Sequence, residues 1–153
     1  MRRIVAILLL SLVCGPALVG CHWIHLDSGS GGTGGGVVGA TSESFIPLLA
    51  AFTEELAGKV ESAPDPKAGV TEAQRLLDSR RADLTALIGG VKESLRTRED
   101  SAARGKWLEA EVDNTDRMHR LQSKYINASM RDPEFKARLD KLVADYDSMF
   151  KDR

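Results

Sequence analysis

Few residues in this chain are of a type that does covalent or metal chemistry. There are two cysteines, Cys14 and Cys21, and three histidines, His22, His25 and His119. His22-x-x-His25 has the spacing of half a zinc site, but zinc takes at least three protein ligands and no third lies in reach. The pair reads as part of a spacer. Asp116-x-x-His119 resembles one half-motif of a di-iron centre, which needs two Glu-x-x-His motifs and two further glutamates. His119 could ligate haem only with a partner on a facing helix, for which Met149 is the candidate, yet Met118 and Met149 each fit an apolar helical stripe as core residues. There is no Cys-x-x-Cys-His for covalent haem. His-Glu-x-x-His and Gly-Lys-Ser/Thr are also missing from the sequence, and no serine is placed beside His119 by a recognisable motif. Gly29, Gly31 and Gly34 spell the letters of a dinucleotide fingerprint, but no strand precedes them and no βαβ unit follows. The expectation is therefore no catalytic residue, no cofactor and no metal, and so not an enzyme.

Cys21 is the exception. Arg2 and Arg3 open a short basic region, and Ile4 to Val13 is an apolar run broken only by Ser11. A bilayer span needs about 20 apolar residues, so this run has the length of a secretory signal and not of a transmembrane helix. Gly15-Pro16 breaks the helix before small residues and Leu18-Val19-Gly20-Cys21. That tetrapeptide resembles the lipobox of bacterial lipoproteins: an aliphatic residue, two smaller ones, then cysteine. The resemblance covers residues 1–21. It implies diacylglycerol transfer to the Cys21 thiol, cleavage before Cys21 and acylation of the new amino group. It also implies a cell-envelope protein held to the membrane by lipid. By the same family analogy, His22 in place of an aspartate implies the outer membrane, on its periplasmic side, in a double-membraned cell.

The cysteine count agrees with lipidation. Cleavage removes Cys14 and leaves Cys21 alone, a reactive thiol unless capped. No disulfide forms within such a chain, so the fold must stand on its core. Loss of residues 1–20 leaves 133 of the 153 residues, with 19 of the 21 basic side chains against all 22 acidic ones. That length suits one domain. A slightly acidic balance argues against nucleic acid, whose binding rests on many phosphate contacts. It also argues against attraction of the body to anionic lipid.

After Cys21, Trp23 and Ile24 suit the headgroup region beside an anchor. Asp27 to Ala40 is rich in glycine and serine, which do not recover their ordering entropy. Fourteen such residues reach roughly 20 Å and hold the body off the membrane. The expected organisation is a signal peptide over 1–20, a lipidated N-terminus and disordered linker over 21–41, and a helical bundle over 42–153.

The body carries helical periodicity throughout and no strand pattern. A first helix is expected from Phe45 to Glu61, with Ser44 as N-cap and Pro47 in its first turn. Phe45, Leu49, Phe52, Leu56 and Val60 form its stripe. A second is expected near Thr71, where Thr71 and Gln74 resemble a capping box. A start at Asp65-Pro66 is the alternative, with Gly69 against it. Its stripe is Ala73, Leu77, Leu84, Ile88, Val91 and Leu95. Arg80 and Arg81 fall where the next apolar residue is due and read as stems along the core edge. Gly89-Gly90 predicts a kink, a break or tight packing.

A third helix is expected over Ala102 to Met130, with Trp107, Leu108, Val112, Thr115, Met118, Leu121 and Tyr125 inward. Asp132-Pro133-Glu134 marks a sharp restart, with Asp132 as N-cap. The last helix carries Phe135, Leu139, Leu142, Tyr146 and Met149. Short connections make sequential helices antiparallel neighbours. The fold expected is all-α, an up-and-down bundle of four helices.

Two function classes follow. One is a non-enzymatic envelope lipoprotein whose bundle docks another envelope protein or plays a structural role. The other is a bundle holding an apolar or haem-type ligand between its helices. The second is disfavoured by an aromatic content of 5%, because apolar cavities are usually lined more richly.

Overall fold

The computed structural model describes residues 41–97 and 100–151. These residues form helices α1 (Ser42–Glu61), α2 (Pro66–Thr97), α3 (Ser101–Lys124), α4 (Ile126–Arg131) and α5 (Pro133–Asp147). There is no strand among them, and the fold is all-α as the periodicity predicts.

Each long helix starts where a side chain caps it, but two of the starts differ from expectation. Thr41, not Ser44, is the N-cap of α1: its hydroxyl accepts from the Ser44 amide, and the Ser44 hydroxyl donates back to the Thr41 carbonyl. Ser42 and Glu43 so extend the helix by a turn, and Pro47 lies beyond the first turn. The missing Pro47 N–H leaves the Glu43 carbonyl without its helical donor, at an exposed site where water serves. α2 starts at Pro66, not near Thr71. Asp65 accepts from the Lys67 and Ala68 amides, and Pro66 occupies the first position where no N–H is needed. The capping box expected at Thr71 is absent, since the Thr71 hydroxyl donates to the Lys67 carbonyl within the helix. Asp132 behaves as expected and accepts from both the Glu134 and Phe135 amides.

Three further corrections concern α2 and α3. α2 runs without interruption through Gly89-Gly90, and a Cβ at either glycine meets nothing within 4 Å. Close packing is therefore not what these glycines serve, and each costs helix stability for no return. Gly89→Ala and Gly90→Ala should each raise unfolding free energy by about 0.5–1 kcal/mol. Urea titration of the helical segment reads this directly, and a lowered midpoint would show a packing role that the open space does not suggest.

The third helix is not continuous to Met130. It ends at Lys124, and Tyr125 leaves helical geometry at φ −99° and ψ 16°. The Tyr125 ring is anchored there: its hydroxyl donates to the Val60 carbonyl at 3.3 Å, and it stands edge-on to Phe135. Finally, Leu108 and Val112 point outward, 61% and 51% exposed. Ala110 and Asn114 take the inner positions beside Trp107, Met118 and Leu121, while Thr115 is half-buried.

The helices alternate in direction. α1 and α3 run parallel at a fixed offset, as the Phe45–Trp107, Glu54–Arg117 and Glu61–Lys124 contacts show. α2 and α5 also run parallel: Lys67 pairs with Glu134, Thr71 with Arg138 and Ser148 with Arg81, each 67 residues apart. α3 and α5 are antiparallel, with His119 beside Asp147 and Gln122 beside Asp140. The extensive pairings are α1 with α2 and α3, and α5 with α2, α3 and α4. α2 and α3 follow one another but are not among these pairs, contrary to the expectation for sequential helices. The reason is α1, whose buried face spans Phe45, Leu49, Phe52, Thr53, Leu56, Ala57 and Val60 and is wide enough to take a helix on each side. The core closes over this face with Leu77, Ile88, Val91, Met118, Leu121, Leu139, Leu142 and Tyr146. Met149 and Phe150 complete it just after α5 ends.

Candidate interaction surface

The lipobox residues Leu18, Val19, Gly20 and Cys21 lie outside the described residues, as do His22, His25 and the glycine-rich linker. The other residues singled out by type are placed as follows. His119 faces out of the bundle, with Nε2 3.0 Å from Asp147 Oδ2 and about half its side chain exposed. Met118 and Met149 are core side chains, 0% and 2% exposed. The exposed Asp116 does not join His119 in a ligand group, and no cluster of three or more His, Cys, Asp or Glu is placed to hold a metal among the described residues. Arg81 lies along the edge of the core and ties α2 to α5, donating to Ser148 Oγ at 2.8 Å and lying 3.6 Å from Asp145. Arg80 is exposed.

The interior holds one polar pair that sequence reading missed. Thr53 and Tyr146, 1% and 0% exposed, join α1 to α5 with their oxygens 2.6 Å apart. Thr53 spends its proton on the Leu49 carbonyl at 2.8 Å, so Tyr146 must be the donor of the pair. Burial outweighs the Thr53 hydrogen bond, which pulls the other way, and with the Asp147 charge holds the Tyr146 phenol above its ordinary pKa, which keeps that proton in place. The two partners are therefore not equivalent. Tyr146→Phe leaves Thr53 bonded to Leu49 and should cost about 1 kcal/mol. Thr53→Val strands a buried phenol without an acceptor and should cost about 2–3 kcal/mol. The double variant should lie near Tyr146→Phe alone. Denaturation midpoints decide this, and a Tyr146→Phe loss larger than that of Thr53→Val would reverse the donor assignment.

Around this core, acids and bases pair between helices. Arg117 of α3 bridges Glu54 and Glu61 of α1, and Lys124 adds a second cation to Glu61. Partial burial alone would raise the Glu61 pKa, but the hydrogen bonds from Lys124 and Arg117 outweigh it and hold the carboxyl below its ordinary value. Asp145 is shifted down in the same way, with burial opposed by Lys141 and Gln74. These pairs hold helices in register.

Two open grooves mark the surface. One, of about 380 Å³, runs between α2 and α5 over Val70, with Arg75, Asp78, Arg138 and Lys141 at its rim. The other, of about 410 Å³, lies between α1 and α3 over Ile46 and Ala110, bordered by Glu43, Lys106, Glu109 and Asp113. Leu108 and Val112 stand further round α3, outside the lining of the second groove. With Leu48, Ile126 and Met130 they are the large apolar side chains left exposed among the described residues. The sequence signal for the outward row was present but mixed with another. Trp107, Met118 and Leu121 set a register that calls for positions 110 and 114, and Leu108, Val112 and Thr115 sit one residue out of it. Small Ala110 and polar Asn114 hid the inner row.

Comparison of the chain with known protein families, curated proteins and solved structures finds no match.

Proposed function

We propose that this chain is a lipid-anchored protein of a bacterial cell envelope, held by acyl chains on Cys21, and that its helical body is a non-enzymatic docking module for another envelope protein. The observation that carries the reading is the order of its N-terminal features: a basic start, a short apolar run, Gly15-Pro16 and Leu18-Val19-Gly20-Cys21. Among the described residues, no helix is long and apolar enough to cross a membrane. One acyl chain binds weakly, at about 0.8 kcal/mol per buried methylene, whereas two or more make a stable anchor. Lipoprotein maturation supplies that number. By analogy with bacterial lipoproteins, in which aspartate at this position favours the inner membrane, His22 supports the outer membrane of a double-membraned cell as the site of the proposed anchor.

The docking half of the reading is supported by where the molecule spends its polar groups. Many of its ion pairs join helix to helix and the others lie one turn apart within a helix, its core is packed by aliphatic and aromatic side chains, and grooves open on the surface between α2 and α5 and between α1 and α3. The direct test of the anchor is intact mass spectrometry of protein extracted from membranes. The mature chain should begin at Cys21 and carry the mass of two or three acyl chains. Cys21→Ser should abolish lipid labelling and leave precursor or unanchored protein. A different mature N-terminus, or a Cys21 without acyl mass, overturns anchor and location together.

A further inference from the structure

Among the described residues, the outer side of α3 has a face that no other element covers. At about 100° per residue, Leu108, Val112, Thr115 and His119 fall along one line of the helix. His119 meets Asp147 at the end of α5, so this line is the shoulder of α3 that α5 packs beside. α5 stops at that level. Toward the N-terminus of α3 the line continues to Val112 and Leu108, which remain more than half exposed. A second row runs next to it on the outward side: Glu109, Asp113, Asp116 and Arg120, all exposed, three acids to one base. Glu54, Glu61 and Glu111 each meet a cation from another helix. Glu109, Asp113 and Asp116 form no ion pair among the described residues. Lys106, the nearest base along the groove, is already turned to Glu43 at 3.6 Å.

We propose that the Leu108–Val112 face of α3 is the docking surface, and that it takes a basic amphipathic helix of a partner protein. The proposal rests on the docking role put forward above and names its surface and the chemistry of its occupant. The partner's apolar stripe lies on Leu108 and Val112, and its lysines or arginines run along Glu109, Asp113 and Asp116. Charge selects this occupant over the alternatives. A second copy packed by two-fold symmetry sets the same carboxylates against one another. An anionic lipid surface is repelled by them. A basic helix covers two exposed apolar side chains and neutralises three unpaired acids at once.

The test uses the full-length lipidated protein in its own cells. Val112 is replaced by the photocrosslinker benzoylphenylalanine, and Met130, 78% exposed on α4, is replaced in a separate strain. After irradiation, the crosslinked peptides are sequenced by mass spectrometry. The Val112 site should crosslink to a segment whose apolar residues recur every three or four positions, flanked by lysine or arginine. Combining it with Glu109→Lys, Asp113→Lys and Asp116→Lys should lower the yield by about tenfold or more, because reversed charges repel the basic flank. These positions are exposed, and an unchanged thermal melt confirms that the variant folds. A Val112 crosslink to phospholipid, to a second copy or to an acidic segment overturns the proposal, as does a yield that charge reversal leaves unchanged. A protein crosslink from Met130 but none from Val112 overturns this surface and leaves the docking role standing. No protein crosslink from either site overturns both.

Discussion

Leu139→Asp should abolish the cooperative unfolding transition of the helical segment at neutral pH. Leu139 is 1% exposed in the middle of α5, packed into the same cluster as Leu77, Met118 and Tyr146. Truncating a buried leucine costs about 2–5 kcal/mol through lost transfer energy and the cavity left behind. A carboxylate adds the cost of a charge removed from water, several kcal/mol where no partner meets it. No nearby cation is placed to help. Lys136, Arg138 and Lys141 each reach an acid one turn away on the outer side of α5, namely Asp140, Glu134 and Asp145. The total approaches the whole stability of a small domain, about 5–15 kcal/mol. Leu139→Ala should weaken the fold without erasing it. Ala137→Asp, at an exposed position two residues earlier, should change the midpoint little. Far-ultraviolet circular dichroism and urea titration of the three variants test the register of α5. A normal transition in Leu139→Asp would mean that another face of the helix points inward.

The register of α5 was legible because its sequence carries no competing signal. Phe135, Leu139, Leu142, Tyr146 and Met149 are the large apolar residues at a helical period, and Asp132-Pro133 fixes the start by cap and by ring. α1 was legible for the same reason along its stripe, though its start was not. Thr41 and Ser44 are both good N-caps, and the choice between them depends on whether Ser42 and Glu43 gain from being helical. That gain comes from the Thr41–Ser44 exchange of hydrogen bonds, which no propensity reports.

α3 was read worst, and the cause is physical. A helix with apolar residues on two adjoining rows presents two plausible inner faces, and burial of the first residue, Trp107, does not decide between Leu108 and Ala110 as its neighbour. The outcome depends on which face α1 can approach. Ala110 faces α1 across the groove that it lines with Ile46, and the Phe45 ring stacks on Trp107 at a centroid distance of 6.1 Å. The candidate surface was illegible for the same reason: it consists of the residues that periodicity had assigned to the core. The Thr53–Tyr146 pair was beyond reach too, because a hydrogen bond across 93 residues is a property of the packed bundle and of no local pattern.

The start of α2 turns on one glycine, and Gly69→Ala should destabilise the fold where Gly89→Ala and Gly90→Ala stabilise it. Helix propensity alone favours alanine at all three positions by up to about 1 kcal/mol. At Gly69 the surroundings reverse the sign. A Cβ there would lie 2.6 Å from the Lys59 carbonyl oxygen, 2.8 Å from the Ala63 Cβ and 3.0 Å from the Val60 Cα. Two of these three atoms are backbone, so no rotamer change relieves the contact, and α2 must move off the end of α1. That end is also where Tyr125 donates to the Val60 carbonyl and where Arg117 and Lys124 hold Glu61, so the movement strains the joint to α3 as well. Overpacking of this kind costs about 1–3 kcal/mol after partial relaxation. Set against the propensity gain, a net loss of about 1 kcal/mol should lower Tm by roughly 4–8 °C in a domain of about 100 residues. Gly69→Val, with a branched Cβ, should lose more. The same feature that made glycine look unsuited to a helix start is then its reason for being there: it lets α2 begin at Pro66, one turn earlier than a larger residue would permit. If Gly69→Ala raises Tm as the Gly89 variant does, the two helices do not meet this closely, and the early start of α2 needs a different cause.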